Sequence, residues 1–237
     1  MNTIDCISNR HCYRGEYVVD EIPSREDLTT IMKAGLSAPS GCNMQTTSLI
    51  AIDDPKIVEQ IKSVINPPIA QTAPAFICVL SQEIIAYRDK CYAVQDYAAA
   101  IENMLLAAVE LGYQSCWYEG HITDKDRICD KIAKILNVPN EYNLVCILPI
   151  GKAKSEAKGP NKKDFKDRAW FNKFGEWNKV LVCTLFNIIN RFIYYFFHFS
   201  WFSKETFVNI IYIFNFVSSS IEACFCVSLF WINSHIL

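Results

Sequence analysis

Runs of apolar residues along the chain predict the strands of a sheet. Residues 75–80 and 144–150 are almost uninterrupted apolar runs, which are typical of strands buried on both faces. Shorter runs at Ser48–Ile52 and Tyr113–Trp117 predict two further strands. The run that begins at Ala75 is apolar throughout and should therefore lie in the middle of the sheet.

Amphipathic segments between these runs predict helices. Ser24 stands as an N-cap with Asp27 in the capping-box position, and an apolar stripe follows: Leu28, Ile31, Met32 and Leu36. Asp54-Pro55 opens a second helix with proline at its first position, and Thr123 starts a third that runs to Leu136. Because helices separate the strands, the pattern predicts an α/β or α+β fold in one domain.

The longest predicted helix runs from about Cys91 to Leu111 and is apolar nearly all round. Its apolar positions include Val94, Tyr97, Ile101, Met104, Leu105 and Ala108, and it also carries Asp96, Glu102, Asn103 and Glu110. A helix of this kind is either the central core helix or a subunit interface.

Composition limits the classes of function. The 237 residues carry a formal net charge of −2, which indicates neither a nucleic-acid-binding protein nor an acidic tail. The 11 cysteines stand mostly alone in apolar segments without a CxxC, and the 4 histidines are scattered. This pattern indicates buried free thiols in a reducing compartment and no metal site, and we expect a cytoplasmic protein.

The composition changes after about residue 176, which divides the chain into a predicted domain of residues 1–176 and a tail of residues 177–237 rich in Phe, Ile, Asn and Tyr. The tail suggests a membrane-associated segment, but charges at Arg191, Lys204, Glu205 and Glu222 divide it into runs shorter than the about 20 residues that a spanning helix needs. A hairpin that buries Arg191 and Glu222 is one interpretation. The other, which we prefer, is a non-native extension of the kind that AT-rich DNA encodes out of frame.

Three polar segments carry candidate chemistry. Ser37–Gln45 follows a helix, holds Pro39 and Gly41 in a tight backbone, and offers the side chains of Ser40, Asn43 and Gln45 to a planar polar ligand. Arg10 and Arg14 stand four residues apart and can hold a phosphate by charge-assisted hydrogen bonds. The alternatives are an ordinary helix-to-strand loop and a solvated helix end. A basic loop between Lys152 and Arg168 can deliver one or two cations to a ligand.

Four motifs stand in a fixed order along residues 4–172. They are Arg10-His11-Cys12-x-Arg14, Pro39-Ser40-Gly41-Cys42-Asn43-x-Gln45, Trp117-Tyr118-Glu119-Gly120 and Lys166-Asp167-Arg168, and Asn66 lies between the second and the third. In this combination the chain resembles the FMN-dependent, oxygen-insensitive nitroreductase family and its flavin reductase relatives. The resemblance implies an α+β, three-layer fold with a central, mostly antiparallel sheet and a long helix at the core or dimer interface.

The resemblance also implies roles for these residues in FMN binding. Arg10, His11 and Cys12 would lie at the phosphate with Lys166 and Arg168, while Arg14 would lie at the pyrimidine edge of the flavin. The segment Pro39, Ser40, Gly41, Asn43 and Gln45 would reach the flavin from the partner subunit of a homodimer. Asn66 would contact the N3/O2 edge, and Trp117 and Tyr118 would run beneath the ring. Glu119 and Gly120 would lie near N5, as the catalytic positions.

Alternatives remain for several of these residues. Glu119 could be a surface acid in an ion pair, Asn66 a helix C-cap, and Trp117 a core side chain. Lys162 or Lys163 could serve in place of Lys166. The sequence also departs from the family pattern, since Cys12 stands where a serine usually donates to phosphate, Pro67, Pro68 and Ile69 replace a region that often carries a lysine, and Tyr118 is bulkier than the usual aliphatic residue.

The implied function is transfer of hydride from NADH or NADPH to an electron-poor acceptor, a nitroaromatic or a quinone, by a ping-pong mechanism. No GxGxxG or Walker motif occurs, so the nicotinamide would stack directly on the flavin. Related flavin chemistry, such as reductive dehalogenation or flavin fragmentation, is a second hypothesis. A non-enzymatic, membrane-tethered binding protein is a third.

Overall fold

A computed structural model describes residues 2–65, 71–119 and 127–175. Contacts within the chain separate a unit that ends at Lys162 from a second unit that begins at Lys163, and each is described by itself. Predictions about Asn66, Pro67, Pro68, Ile69, Gly120, Thr123 and the tail of residues 177–237 lie outside the described residues.

A three-stranded antiparallel sheet forms the centre of the first unit. Its strands are β1 (Thr47–Ile52), β2 (Ala75–Ser81) and β5 (Asn143–Ile150), in the order β1-β2-β5. Leu49 pairs with Val79, Cys78 pairs with Ile147, and a register shift lies between Val79 and Leu80. Every residue of β2 is buried, which confirms the prediction of a central strand from its apolar run.

Side chains that alternate along β2 face two separate cores, because successive residues of a strand point to opposite faces. Phe76, Cys78 and Leu80 pack in one core, which α3 (Pro55–Val64) and α5 (Ile128–Ile135) cover. Ala75, Ile77 and Val79 pack in the other, which α2 (Arg25–Leu36) and α4 (Ala93–Glu110) cover. The architecture is therefore α+β in three layers, as the resemblance implied.

The predicted caps begin the helices where the sequence placed them. The hydroxyl of Ser24 accepts a hydrogen bond from the amide of Asp27 at 3.0 Å, and Asp54 caps α3 ahead of Pro55. Helix α2 packs on α4, and Gly35 allows the approach since a Cβ there would lie 2.7 Å from Met104 Cγ. Leu36, which we assigned to the apolar stripe, is exposed, so the stripe ends at Gly35.

Other predictions of local structure were wrong. Residues 113–117 do not form a strand, because only isolated bridges join Gln114 to Gly151 and Tyr118 to Ile147. Cys91 belongs to a short hairpin of β3 (Ile85–Tyr87) and β4 (Lys90–Cys91), and α4 begins at Ala93. Val94 on α4 is exposed.

Three further short elements complete the described residues, and one of them is a 3₁₀ turn over Gly41–Asn43. The N-terminal helix α1 (Thr3–Asn9) was not predicted, and Cys6 is its buried residue. In the second unit, a 3₁₀ turn spans Phe165–Asp167, and Trp170 packs on Phe174 with ring centroids 4.1 Å apart. Within the part of the chain that the structure describes, no helix has the length and apolar character needed to cross a membrane.

Candidate functional site

Helix α4 holds three of the predicted motif segments. Asp96 binds the segment after α2, Tyr97 lies beside Glu119, and Glu102 pairs with Arg10. Asp96 and Glu102 are about 9 Å apart along the helix axis and about 120° apart around it. The helix therefore presents the Ser37–Gln45 segment and the N-terminal motif on different faces.

A buried carboxylate fixes the Ser37–Gln45 segment. Asp96 is 4% exposed, and its two oxygens accept hydrogen bonds from the Gly41 amide and the Thr46 hydroxyl, each at 2.7 Å. The Ser40 hydroxyl accepts from the Gln45 amide at 3.0 Å and closes the loop on itself. Because a buried acceptor is costly to leave unpaired, this loop and the first turn of α4 hold each other in place.

The backbone of this loop is strained. Cys42, Asn43 and Gln45 have positive φ values of 51°, 56° and 51°, a region that residues other than glycine seldom occupy. Gly41 has no room for a side chain, since a Cβ would lie 2.4 Å from Tyr92 Cδ2. Pro39, Asn43 and Gln45 are exposed. Local strain that presents polar groups to the outside is typical of a binding segment.

The N-terminal motif lies along the body of the same unit. Arg10 Nε donates to Glu102 Oε1 at 3.0 Å, and His11 Nδ1 is 2.9 Å from the Asn9 carbonyl oxygen. Tyr13 is buried, and its amide donates to the Ser115 carbonyl at 2.9 Å. Arg14 is exposed. The segment is thus attached at Arg10 and Tyr13 and leaves the Arg14 side chain in solvent.

Cys12 of the N-terminal motif has an acidic thiol. The pKa of Cys12 is lowered, first by the side chain of Cys116, and further by the backbone of Trp117 and the charges of Arg10 and Arg14. The side chain of Cys12, together with burial, raises the pKa of Cys116. Cys12 is therefore the more acidic of the two thiols, and it lies in a half-buried position.

Residues 117–119 form the next part of this surface. Trp117 Nε1 donates to Glu119 Oε2 at 2.6 Å, and Tyr118 is buried with its backbone paired to Ile147. Burial and then the charge of Glu119 raise the pKa of Tyr97 on α4. The Glu119 carboxylate is thus held between an indole and a phenol in a half-buried position.

Two clefts open beside the N-terminal motif. One has a volume of about 370 Å³ and includes Arg10, His11, Lys158 and Lys162 in its lining. The other has a volume of about 540 Å³ and lies between His11, Tyr13, Gln114 and the segment Ala153–Lys158. His11 Nε2 is buried without a hydrogen-bond partner in the structure. Three cations in the smaller cleft make it suited to an anionic group.

Lys166 and Arg168 belong to the second unit. Lys166 Nζ lies 3.5 Å from Asp164 Oδ2, and Arg168 follows the 3₁₀ turn as an exposed residue. Their assignment to the FMN phosphate remains a prediction. The assignments of Asn66 to the N3/O2 edge of the flavin and of Gly120 to a position near N5 also remain predictions. Among the described residues, no group of three or more His, Cys, Asp or Glu side chains could hold a metal ion.

Sequence reasoning did not identify the residues that support the motifs. These are Asp96, Glu102, Tyr97, Tyr92 and Cys116. Asp96 offered a signal, since a carboxylate on the buried face of an apolar helix needs a partner. The other four look like ordinary helix or core residues, and only the folded chain shows their contacts.

Comparison with known proteins identifies the family to which the chain belongs. A sequence model of the Nitroreductase family matches residues 7–71 and 61–152. The chain is 28% identical over 134 residues to an Archaeoglobus fulgidus protein named "Putative NADH dehydrogenase/NAD(P)H nitroreductase", covering 56% of this chain and 76% of that one. It is 27% identical over 157 residues to the iodotyrosine deiodinase of Thermotoga neapolitana, covering 55% and 78%.

Solved structures share the fold. An FMN-dependent nitroreductase from Clostridium difficile superposes with a TM-score of 0.61 at 27% identity, covering 72% of this chain and 99% of that one. The three-layer arrangement around β2 is therefore common to this chain and to a protein described as FMN-dependent.

Proposed function

The chain belongs to the nitroreductase family of flavoprotein oxidoreductases, and from this premise we propose that it binds FMN and transfers hydride from NADH or NADPH to an electron-poor acceptor, a nitroaromatic or a quinone. The proposal is carried by the strained, exposed Ser37–Gln45 loop, which a buried carboxylate holds in a chain of this family. FMN, when bound, supplies the hydride chemistry, and the donor and acceptor use the same site in turn, which is the ping-pong order.

The basic cleft supports a position for the phosphate of FMN. Arg10, Lys158 and Lys162 line it, and a glycine at position 159 faces His11, where a Cβ would lie 3.0 Å from His11 Cβ. A phosphate needs about two charge-assisted partners. The cleft therefore fits the group, and Lys162 is the cation that takes the alternative place to Lys166. Lys166 and Arg168 remain further candidates by resemblance.

The segment of residues 117–119 and Arg14 support a position for the flavin ring. Arg14 is exposed and adjacent to the motif that would hold the phosphate, so its charge is available to stabilise negative charge at one edge of the ring. The hydrogen bond from Trp117 to Glu119 orients this segment. Glu119 thereby orients the backbone that leads to Gly120, where the proposal places a donor to N5.

A second copy of the chain would complete the site. The Ser37–Gln45 loop and the N-terminal motif contact α4 on different faces, so one copy presents them in different directions. Exposed apolar side chains lie around the loop: Met44, Ile85, Tyr87 and Val94. Apolar surface of this kind is typical of an interface between subunits, and we propose a homodimer in which the loop of one copy meets the N-terminal motif of the other.

One relative favours a second candidate activity. The deiodinase of Thermotoga neapolitana has the same 27% identity to this chain as the nitroreductase of known structure, so reductive dehalogenation of a halogenated aromatic is the alternative. Both activities use the same cofactor site and differ in the acceptor. In either case we place the enzyme in the cytoplasm, because the cysteines of the described residues carry free thiols.

An absorbance spectrum tests the proposal. Full-length protein incubated with FMN and freed of excess should show the flavin bands, lose them when NADH or NADPH is added without oxygen, and regain them when a nitroaromatic or quinone follows. Colourless protein that does not retain FMN would contradict it. Reoxidation by 3-iodotyrosine but by neither of the other acceptors would select the dehalogenase instead.

A further inference from the structure

A carboxylate on α4 holds the arginine that opens the N-terminal motif. Arg10 Nε donates to Glu102 Oε1 at 3.0 Å, and the two side chains are 27% and 39% exposed. Arg10 lines the smaller cleft together with Lys158 and Lys162, where the proposed function places the phosphate of FMN. In an inference that rests on that function, we propose that Glu102 is a positioning residue, which aims the guanidinium of Arg10 at the phosphate.

The contact with Glu102 uses only part of the guanidinium. The hydrogen bond joins Nε of Arg10 to one oxygen of Glu102, which leaves the two terminal nitrogens, with their four N–H donors, outside the contact. A guanidinium binds two phosphate oxygens through two parallel N–H donors. Glu102 can therefore fix the direction of this fork without occupying its outer edge.

The backbone of Arg10 is fixed as well. Arg10 is the C-cap of α1, and its amide donates to the Cys6 carbonyl oxygen at 2.9 Å. The Cys6 thiol donates in turn to Glu110 Oε2 on α4, also at 2.9 Å. Two carboxylates of α4, about two helical turns apart, thus hold α1 and the arginine that follows it. Arg10 is attached at its backbone and at Nε, so its outer nitrogens have a defined position.

Glu102 also brings a negative charge close to the proposed phosphate position. Repulsion would weaken FMN binding if it outweighed the gain from orientation. Arg10, Lys158 and Lys162 offset this charge within the cleft, and a long side chain that is ordered in advance loses less rotamer freedom when the ligand binds. We therefore expect orientation to have the larger effect, and removal of the Glu102 side chain tests its sign.

The ion pair between Arg25 and Asp53 provides a matched control. Nε and Nη2 of Arg25 donate to the two carboxylate oxygens of Asp53. The Arg25 side chain is 84% exposed, and Arg25 lines neither of the two clefts described above. Asp53→Ala removes one negative charge and releases an arginine, as Glu102→Ala does, so it measures the effect of net charge alone.

Two flavins isolate the contribution of the phosphate. Riboflavin has the ring and ribityl chain of FMN without the phosphate, and the dissociation constants of both can be measured on full-length protein by flavin fluorescence. Glu102→Ala should weaken FMN binding about threefold to tenfold and change riboflavin binding by less than about twofold. Glu102→Gln, which keeps an acceptor for Arg10 Nε, should recover most of the loss. Asp53→Ala should bind both flavins as the wild type does.

An Arg10→Ala background shows whether Glu102 acts through Arg10. In that background Glu102→Ala should no longer weaken FMN binding, because no guanidinium remains to be oriented. A loss as large as in the wild-type background would overturn the inference.

Other results would also overturn the positioning role. They are FMN binding that Glu102→Ala leaves unchanged or strengthens, an equal loss for riboflavin, an equal loss in Asp53→Ala, and Glu102→Gln protein that binds FMN as weakly as Glu102→Ala. Wild-type protein that binds FMN and riboflavin equally well would overturn it too, but would leave the flavin proposal standing. Wild-type protein that binds neither flavin would contradict the proposed function, and the inference with it.

Discussion

The two segments that flank α2 differ in where they direct their polar groups. Residues 10–14 lie against the same unit, with Arg10 paired to Glu102 and the Tyr13 amide bonded to the Ser115 carbonyl. The Ser37–Gln45 loop is also fixed to α4, through Asp96, yet Pro39, Asn43 and Gln45 point to solvent.

Under the proposed function, this difference would divide one binding site between two copies of the chain. The anchors at Arg10 and Tyr13 hold the N-terminal motif against its own unit, whereas the anchor at Asp96 holds the strained backbone of the loop outward. In the proposed homodimer, the outward loop of one copy would meet the N-terminal motif of the other copy. The predictions below disturb one segment or the other.

The largest effect is expected from Asp96→Ala. The change leaves the Gly41 amide and the Thr46 hydroxyl without their buried acceptor, and each unsatisfied donor costs about 1–3 kcal/mol. We expect the free energy of unfolding, measured in urea, to fall by about 2–4 kcal/mol. Glu102→Ala is the matched control on the same helix, and since Glu102 is part-exposed, an equal loss from it would contradict the special role of Asp96.

Gly41→Ala should have the next largest effect. The new Cβ would lie 2.4–2.5 Å from Tyr92 Cδ2, Cβ and Cγ, and relief of such overpacking typically costs about 1–3 kcal/mol. Thermal unfolding should show the loss, and FMN retention should fall with it. In a Tyr92→Gly background, which removes all three atoms, Gly41→Ala should cost much less; an unchanged cost would show that the clash is not its cause.

Arg10→Ala should affect the ligand more than the fold. Its ion pair with Glu102 is part-exposed, so the free energy of unfolding should change by about 1 kcal/mol or less, while FMN affinity should fall about tenfold through loss of one charge-assisted partner. Arg25→Ala removes the same charge from the ion pair with Asp53. If both variants lost FMN affinity equally, the loss would come from the change in net charge of the protein and not from a lost contact between Arg10 and FMN.

The smallest change is expected from pH, at Cys12. Because its pKa is lowered, the thiolate persists as pH falls below neutrality, and iodoacetamide should continue to modify Cys12 in mildly acidic buffer. Because the thiolate is the reactive form, a lowered pKa moves the drop in the alkylation rate of Cys12 to lower pH. Cys116→Ala, which removes the side chain that is the first cause of the shift, should move the drop back towards the ordinary thiol range.

Much of the fold followed from local pattern. The apolar run of β2 and the Asp54-Pro55 start of α3 are signals that need no distant partner, and both were confirmed. The β3–β4 hairpin was missed because its strands are short and largely exposed. Residues 113–117 resemble a strand in composition, but their backbone pairs through isolated bridges.

The sequence predicted the motif segments of the candidate site but not the residues that anchor these segments in the folded chain. Sequence order identified the segments at Arg10, Ser40 and Trp117, but the loop after α2 is anchored at Gly41 by Asp96, more than fifty residues away in the sequence. The hydrogen bond from the Tyr13 amide to the Ser115 carbonyl likewise depends on tertiary pairing. Such contacts carry no periodicity, so no local pattern reports them.

Subunit mixing tests most directly whether two copies share the site. Arg14→Ala and Asn43→Ala chains with different tags are each expected to bind FMN weakly, since each damages both sites of its own homodimer. Co-expressed and purified through both tags, the mixed dimer should contain one intact site and one doubly altered site, and therefore bind one FMN per two chains with wild-type affinity. A mixed dimer with no wild-type site would contradict the account, because it would mean that Arg14 and Asn43 serve the same site from a single chain.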